Sequence, residues 1–378
     1  MKILHLIYTL AISGAEKYLK HLLPGLRGYG IDCDLVVVCP ATSAEVFSGY
    51  CDELNALGIK TKLIVAGRLS VIGTAKKINT YLKENRIKIV HAHLLNSDLI
   101  ASVLKSLFFR DLYLISTKHG YAEKLLQQYE PGRFYVPADL YYYVTKFTLR
   151  KIDINVTVSG GMADLYHNIK LAPKPYPFIH HGIGIEAFDK EVYRTECRRG
   201  NPQLIIVGRI ELFKGHHFLL DAMPLVAAAF PNVKLLVLGE GSEKNNCIEK
   251  VNKLGLQKNV EFLGFKPHPY SYISHSDVMI LPSLFEPFGL VYIEAFALKI
   301  PVVAFDTAAG NEIVVNNETG LLVKKGDSKA LAEKIINLLE NPEERDKIAE
   351  RAYRKYTTSF TTEVMVKNTA TWYKSLGL

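Results

Sequence analysis

The sequence has few of the features that cross-link a chain or anchor it in a membrane. Its five cysteines, at positions 33, 39, 51, 197 and 247, are odd in number and show no Cys-x-x-Cys spacing, which argues against a disulfide framework and against a zinc knuckle. No uninterrupted apolar run approaches the roughly 20 residues that cross a bilayer. The apolar start of the chain is too short for a secretory signal and is typical of a first strand, so we expect a cytoplasmic protein with reduced, buried thiols.

The chain also lacks any dense run of one charge. Lysine and arginine total 46 against 38 acidic residues, for a formal net charge of +8, yet no basic tract or nucleic-acid module is recognisable, and we predict no nucleic-acid partner. Cations and aromatic residues do mix in the first half, which suits peripheral contact with an anionic membrane. Core aromatics beside a solvated basic face would give the same pattern. The residues are Lys105, Phe108, Phe109, Arg110, Arg133, Tyr141, Tyr142, Tyr143, Lys146, Phe147, Arg150 and Lys151.

Apolar residues are plentiful, at 48% of 378 residues, and they suffice for two cores. Strand-like apolar runs alternate with helical spacing over residues 3–158, and the alternation restarts over residues 204–323. This pattern predicts two mostly parallel, doubly wound α/β sheets that bind ligands at the carboxyl ends of their strands. The proline-rich run Pro173–Pro177 predicts the connector between the two domains.

The most informative segment is Ser283–Ala297. A short apolar run, Val278–Leu281, is stopped by a proline, and helical apolar spacing begins at Gly289, which predicts a strand, a tight loop and a helix. The start of such a helix presents backbone N–H groups to anions, and the carboxylates of Glu286 and Glu294 can accept hydrogen bonds from sugar hydroxyls. From spacing alone, two solvated glutamates near a helix start are an equally good interpretation.

This segment, with the following Pro301-Val302-Val303-Ala304, resembles the signature of the family-four glycosyltransferases, mostly retaining enzymes of GT-B fold that use nucleotide sugars. Further family segments follow in order along nearly the whole chain, from Ser13-Gly14-Ala15-Glu16 to Glu318-Thr319-Gly320. The resemblance implies two Rossmann-like, doubly wound domains that face each other across a cleft. Residues 1–176 are expected to bind the acceptor and residues 177–359 the donor, with residues 360–378 packing back on the first domain.

The resemblance also implies the donor site. Glu286 and the adjacent amides are expected to contact the donor sugar, and Glu294 the ribose. Arg209 and Lys214 are expected to hold the pyrophosphate and its departing charge, although an arginine and a lysine five residues apart are by themselves a weak signal. The full predicted donor set is Gly14, Arg209, Lys214, Gly239, Gly241, Phe265, Glu286, Phe288, Gly289, Leu290 and Glu294.

On the acceptor side, His93 and His119 lie at the carboxyl ends of predicted strands. His119 resembles the family histidine that faces the acceptor hydroxyl and the donor sugar, and it completes a predicted catalytic set with Glu286, Arg209 and Lys214. His93 either reaches the acceptor or acts from behind another residue. Lys124 either pairs an acceptor phosphate or is a solvated lysine.

Four positions near the start of the predicted domains bear on this assignment, namely Ser13, Glu16, His181 and Gly184. In the loop that contains Gly14, Ser13 stands where the family usually has glycine, and Glu16 could equally be an ordinary first-turn carboxylate. The run that contains His181 and Gly184 resembles a family element with asparagine and aspartate at those positions, so we assign no catalytic role there.

The one Asp-x-Asp, at Asp32 and Asp34, precedes a buried strand, the wrong place for donor phosphates. We therefore expect no metal and no cofactor, with cationic side chains and helix dipoles in their place. The predicted function is transfer of a hexose or hexosamine from a UDP- or GDP-sugar to a glycan or lipid-linked acceptor with retention, in bacterial surface polysaccharide biosynthesis. Two alternatives share the fold, a nucleotide-sugar 2-epimerase and a non-catalytic pseudo-glycosyltransferase that acts as a binding module.

Overall fold

The computed structural model describes residues 1–67, 70–121, 139–185, 197–266 and 269–377. These residues group into two compact units. The first unit contains the described residues before position 122, those of 139–182 and those of 362–377, and the second contains those of 183–361. Each unit has its own sheet and its own hydrophobic core.

In the described part of the first unit, six parallel strands lie in the spatial order β3-β2-β1-β4-β5-β6. The strands are β1 (Lys2–Tyr8), β2 (Asp32–Cys39), β3 (Lys60–Val65), β4 (Ile89–His93), β5 (Tyr113–Lys118) and β6 (Ile154–Thr157). The helices that connect and follow them are α1 (Gly14–Leu26), α2 (Ala44–Ala56), α3 (Val71–Asn85), α4 (Leu95–Leu107), α5 (Leu140–Leu149) and α6 (Gly160–Asn168).

The central strands of this sheet are buried on both faces. β1 is buried from Ile3 to Tyr8 and β2 from Cys33 to Cys39, as expected for parallel strands covered by helices on both sides. The odd-numbered apolar residues of β1 pack with α1 and α2, and the even-numbered ones pack with α3 and α4. All five cysteines are buried and free, as predicted.

The second unit repeats the arrangement, with six parallel strands in the order β12-β11-β10-β7-β8-β9 among its described residues. The strands are β7 (Gln203–Val207), β8 (Lys234–Leu238), β9 (Val260–Gly264), β10 (Val278–Leu281), β11 (Val302–Phe305) and β12 (Leu321–Val323). The helices are α7 (His216–Ala229), α8 (Lys244–Lys253), α9 (Pro269–Ser274), α10 (Leu290–Ala297), α11 (Ala308–Ile313), α12 (Ser328–Glu340) and α13 (Pro342–Ser359).

The strand order creates a switch point in each sheet. From β1 the chain builds outward through β2 and β3 and then returns to β4 on the other side of β1, and from β7 it builds through β8 and β9 before it returns to β10. Loops after the two strands that flank such a point diverge, and ligands bind between them. The prediction of a doubly wound α/β fold in each half is confirmed, because the strands lie within residues 2–157 and 203–323, against predicted ranges of 3–158 and 204–323.

The last helix, α14 (Thr362–Ser375), belongs to the first unit and packs on α1. Its residues Met365, Val366, Ala370 and Tyr373 lie within that unit's core. The sequence predicted a domain connector at Pro173–Pro177, whereas the change of unit lies between residues 182 and 183. The reason is that Thr157 binds the backbone of Pro177 and Ile179 over 2.9 Å each, which ties the proline-rich run to the first sheet. Among the described helices, none has both the length and the apolarity to cross a bilayer.

Candidate active site

The second unit brings two of the predicted donor segments together. β7 and β10 are adjacent strands at its switch point. Arg209 and Lys214 lie in the loop after β7, and Glu286 lies in the loop after β10. The backbone joins the loops, because the amide of Leu284 donates to the carbonyl of Phe213 over 2.8 Å. Parallel strand order thus makes neighbours of segments that are far apart in sequence.

Lys214 and Glu286 form an ion pair between these loops. Lys214 Nζ lies 2.6 Å from Glu286 Oε1, and Ser283 Oγ donates to the same oxygen over 2.9 Å. Only 8% of Glu286 is exposed. An ammonium group carries three N–H donors, so Lys214 can hold Glu286 and still donate to an anionic ligand.

Arg209 adds a second cation to the same loop. Its guanidinium carbon lies 5.9 Å from the ring centroid of Phe213, and Lys214 Nζ lies 5.5 Å from that centroid. Phe213 is buried while Arg209 is exposed, so both positive charges lie against one buried ring. Two cations in one loop create the local potential that favours a diphosphate.

The start of α10 is shaped by Gly289, which has a φ of 95°. A Cβ at this position would lie 2.4 Å from the Tyr292 ring and 3.8 Å from Glu286 Cγ. The glycine therefore provides both a left-handed turn and the close approach of the helix start to the glutamate. The free amides at such a start attract anions.

The other predicted residues of this segment differ in burial. Phe288 is 3% exposed and packs against Phe360 at 6.1 Å between ring centroids. Leu290, the first residue of α10, is partly exposed, and Glu294 is buried on the next turn. Phe288 therefore has a packing role in the second unit, whereas the contacts predicted for Leu290 and Glu294 with a ligand stay predictions.

The glycines of the third predicted donor loop pack directly on the first. A Cβ on Gly239 would lie 1.9 Å from the carbonyl oxygen of Gly208, and one on Gly241 would lie 2.2 Å from that of Ile210. Phe265, predicted beside the base, follows β9 and is 77% exposed. The loops after β7, β8 and β10 therefore form one continuous surface at the carboxyl edge of the second sheet.

In the first unit, Ser13 and Glu16 cap α1, whose first residue is Gly14. The Ser13 amide and hydroxyl each donate to Glu16 Oε2 over 2.7 Å, and Glu16 is fully buried. Glu16 is thus a capping residue, which settles the alternative that the sequence left open. Gly14 is partly exposed at the helix start.

His119 belongs to a cluster of histidines at the carboxyl edge of the first sheet. His93 Nδ1 lies 3.0 Å from His119 Nε2, and His93 Nε2 lies 3.0 Å from His5 Nδ1. His93 and His5 are both fully buried, whereas His119 is partly buried. Tyr18 stacks on His181 at 4.5 Å and meets His119 edge-on at 5.3 Å between ring centroids.

The strand register explains how this cluster forms. His5 on β1 is paired with His91 on β4, and the next pair on the same face of the sheet is Ile7 with His93. His91 Nε2 lies 2.7 Å from the hydroxyl of Thr117, and its Nδ1 is hydrogen-bonded to the hydroxyl of Tyr373 on α14. Within the cluster, His93 lies behind His119 in the buried part of the sheet.

Burial keeps these imidazoles neutral. Loss of hydration lowers the pKa of His5 to about 3, and with the nearby Lys118 ammonium it lowers the pKa of His119 to about 3. Burial and the neighbouring histidines also hold the pKa of His91 and of His93 well below its usual value. Any chemistry at His119 near neutral pH therefore involves the uncharged ring.

The geometry of His5, His91 and His93 does not suit a metal ion, although one ring nitrogen of each lies within 4.8 Å of the others. The three rings stack at interplanar angles of 12–28°. Both nitrogens of His91 and both of His93 already have hydrogen-bond partners in the protein. A bound ion would have to displace these bonds.

A buried ion pair supports the strand that carries His119. Lys118 Nζ lies 2.5 Å from Asp98 Oδ2, and both side chains are at most 4% exposed. Ser116 Oγ donates to the other Asp98 oxygen over 2.6 Å. The pair anchors the end of β5 to α4. Lys124, predicted on the acceptor side, lies outside the described residues, as does Arg133 of the basic aromatic set.

Two family models match consecutive parts of the chain. Glycosyltransferase Family 4 matches residues 12–187, and Glycosyl transferases group 1 matches residues 189–355. The chain belongs to glycosyltransferase family 4. The predicted resemblance is thereby confirmed.

Relatives and solved structures agree with this family 4 assignment. The chain is 26% identical to glycogen synthase of Mycobacterium tuberculosis over 96% of this chain and 91% of that protein. It is 34% identical to the capsular polysaccharide biosynthesis glycosyltransferase CapM of Staphylococcus aureus over 52% of this chain and 53% of that protein. A Rickettsia africae glycosyltransferase superposes with a TM-score of 0.78 at 21% identity, covering 99% of this chain and 98% of that one.

The structure of Anabaena HepE in complex with UDP and glucose also superposes on this family 4 glycosyltransferase. The TM-score is 0.77 at 20% identity, with 99% of this chain and all of that chain covered. These similarities show the GT-B fold.

Several residues beside His119 were not assigned a site role from the sequence. His5 is the buried end of the line of rings that reaches His119 through His93, and Tyr18 and His181 lie against His119. The signal for His5 was a histidine within the apolar run of β1, a position where a polar ring needs a buried partner. Tyr18 had no such signal, because its position resembles that of any core aromatic on a helix.

Proposed function

We propose that this glycosyltransferase transfers a hexose or a hexosamine from a UDP- or GDP-sugar to a glycan or lipid-linked acceptor, with retention of the anomeric configuration. The proposed context is bacterial surface polysaccharide biosynthesis. The similarity to CapM supports the acceptor class, and the fold shared with HepE, crystallised with UDP and glucose, supports a nucleotide-sugar donor.

The observation that carries the proposal is the ion pair of Lys214 with Glu286 at the carboxyl ends of β7 and β10. A nucleotide sugar has a diphosphate that needs cations and a sugar that needs hydrogen-bond acceptors. Lys214 supplies a cation and Glu286 supplies a hydrogen-bond acceptor, and the two are in contact. The amides at the start of α10 lie beside it, next to Gly289.

In the proposed reaction, the bond between the anomeric carbon and the diphosphate oxygen breaks, the acceptor oxygen bonds to the same face of the sugar, and its proton passes to the departing diphosphate. Arg209 and Lys214 stabilise the charge that develops on the departing nucleoside diphosphate. We propose that the enzyme needs no metal ion, because these two cations and the start of α10 perform that task.

We also propose that the first unit binds a membrane surface through α5. Leu140, Tyr143 and Phe147 are spaced by three and four residues on one helix face and are 79%, 59% and 48% exposed. Lys146 lies on the same helix and Arg150 at its end.

Sedimentation with phosphatidylserine vesicles at low salt tests this proposal. The wild-type protein should pellet with the vesicles, and a double substitution Tyr143→Ser with Phe147→Ser should leave it in the supernatant. Wild-type protein that fails to bind would contradict this part of the proposal.

A ligand panel tests the donor proposal. UDP-, GDP-, ADP- and dTDP-sugars are added to wild type and to Glu286→Ala, first without metal and then with magnesium, and thermal shift and calorimetry are recorded. We expect one nucleotide sugar to stabilise the wild type without metal and to bind the variant more weakly. Binding of none of them would argue for a pseudo-glycosyltransferase, and binding only with magnesium would refute metal independence.

A further inference from the structure

His5, His93 and His119 form a continuous hydrogen-bonded line of three imidazoles. Each contact joins an Nδ1 to an Nε2 at 3.0 Å. The line runs from the fully buried interior of the first sheet to the partly buried His119 at its carboxyl edge. The two end atoms, His5 Nε2 and His119 Nδ1, are buried and have no hydrogen-bond partner among the residues that the structure describes.

Proton counting restricts this line to two states. A neutral imidazole has one N–H donor and one acceptor nitrogen. Because both nitrogens of His93 are engaged, it must donate to one neighbour and accept from the other. If His93 donates to His5, then His119 donates through Nε2 and its Nδ1 accepts. If His93 donates to His119, then Nδ1 of His119 carries the proton. All three rings therefore share one tautomer, either Nε2–H or Nδ1–H.

The surroundings make this coupling strict. A charged histidine donates from both nitrogens and would break the shared tautomer. Burial keeps the pKa of all three rings low, so the rings stay neutral. The groups that face His119 from other elements are Tyr18 on α1 and His181, and Lys118 on its own strand is held by Asp98 at 2.5 Å. Neither tautomer of His119 is thus selected by a free charge beside it among the described residues.

We propose that His93, with His5 behind it, is a positioning residue for His119: it holds the ring by Nε2, sets its tautomer, and leaves Nδ1 as the single nitrogen available to the acceptor hydroxyl. This inference rests on the proposed function, which brings the acceptor hydroxyl to His119. The hydrogen-bond line itself is a property of the ligand-free first unit.

The first test measures tautomers directly and needs no activity. The full chain is labelled with ¹⁵N-histidine, long-range proton–nitrogen correlations are recorded near neutral pH, and signals are assigned by single His→Gln variants. We expect one shared tautomer for His5, His93 and His119, and a change in the His119 pattern in His93→Leu. Different tautomers in the wild-type line, or an unchanged His119 pattern in the variant, would overturn the proposal.

The second test separates positioning from structural support. His93→Leu removes both hydrogen bonds, and we expect kcat to fall about 10- to 100-fold with the donor KM within about twofold, because a displaced reacting group costs that much. His93→Gln, which can still donate and accept, should retain more activity than His93→Leu. In a His119→Ala background, His93→Leu should cost little more, since its effect acts through His119.

His91 provides the matched control. It lies two residues from His93 on β4, is equally buried, and stacks on His93 at 4.5 Å, but its partners are Thr117 and Tyr373. His91→Leu should change thermal stability about as much as His93→Leu while leaving kcat within about threefold. Equal losses of kcat in both variants, or additive losses with His119→Ala, would show a structural role and refute the inference.

Failure of the proposed function would look different. If the wild type transfers no sugar from any donor, the proposed function fails, and the tautomer measurement alone decides the inference. If the wild type is active and His93→Leu is equally active, the function stands and the inference fails.

Discussion

At the scale of single residues, the candidate donor site depends on one ion pair. Lys214 and Glu286 are 2.6 Å apart and are supported by Ser283 and by the ring of Phe213. Their positions are set by two loops that the strand order makes adjacent. Each partner orients the other, so that removing either charge changes the site as a whole.

We predict that Glu286→Gln and Lys214→Ala each lower kcat by about 100- to 1000-fold, the usual cost of losing one preorganised charge in an active site. Steady-state transfer assays measure kcat, and thermal unfolding shows that the variants remain folded. Lys250→Ala is the matched control, because Lys250 also pairs with a carboxylate at 2.6 Å, that of Asp221, on the surface. Lys250→Ala should transfer sugar at the wild-type rate. Transfer at the wild-type rate in Glu286→Gln would contradict the assignment.

The sequence predicted these residues unequally. Glu286 and Lys214 lie in segments whose residue types and order are distinctive, and the structure brings them into contact. The capping role of Glu16 could not be separated from other interpretations, because a first-turn carboxylate is compatible with several. The line from His5 to His119 required the register of β1 against β4, in which His5 faces His91. A one-residue change in that register would turn the rings to opposite faces.

At the scale of secondary structure elements, the start of α10 depends on its glycine. Gly289 combines a positive φ with a Cβ position only 2.4 Å from Tyr292. Gly255 has a similar φ of 69°, but a Cβ there meets no atom of the described residues within 4 Å. The two glycines separate backbone strain from steric conflict.

We predict that Gly255→Ala costs about 1–2 kcal/mol of unfolding free energy, the strain of a left-handed alanine, and leaves donor binding unchanged. Gly289→Ala should cost more and should weaken nucleotide-sugar binding at least about tenfold, because Tyr292 and the helix start must shift. Chemical denaturation and calorimetry measure the two effects. Equal effects of both substitutions on binding would contradict the role given to the start of α10.

The contact between α1 and α14 predicts that two glycine-to-alanine substitutions change the free energy of unfolding in opposite directions. A Cβ on Gly25 would lie 2.6 Å from Val366 Cγ2, whereas one on Gly49, in α2, meets nothing within 4 Å in the described part of the chain. Gly49→Ala should raise the free energy of unfolding by about 0.5–1 kcal/mol, as alanine does in an open helix position. Gly25→Ala should lower it, and Val366→Ala should restore part of the loss in the double variant. Stabilisation by Gly25→Ala would show that α14 does not pack against α1 in this way.

At the scale of the whole molecule, the order of elements was predictable and the division of the chain was less so. Alternating apolar runs identify parallel strands because such strands are buried on both faces, and this holds for β7 as well as for β1. The place where one unit ends has no comparable pattern. Prolines indicated the run at Pro173–Pro177, but Thr157 binds that backbone to the first sheet.

The histidines predict how stability changes with pH. The pKa is lowered to about 3 for His5 and His119 in the first unit and for His216 in the second. Below pH 6.5 the unfolded chain binds protons that these buried rings exclude, so the stability present above pH 6.5 is lost as pH falls toward 3. The slope is about 1.4 kcal/mol per pH unit for each such ring.

Denaturant titrations between pH 7.5 and 5 should show this loss of stability. His5→Phe should reduce the slope by about 1.4 kcal/mol per pH unit, the contribution of one ring. A free energy of unfolding that stays constant from pH 7 to pH 5 would contradict the burial of these neutral rings.

The position of α14 has a consequence for how the protein is made. Domains usually fold in the order in which the ribosome synthesises them. Here the core of the first unit includes Met365, Val366 and Tyr373, which are translated after every residue of the second unit. The second unit can therefore close its core during translation, while the first unit must wait for the last helix. The half of the molecule that is begun first is completed last.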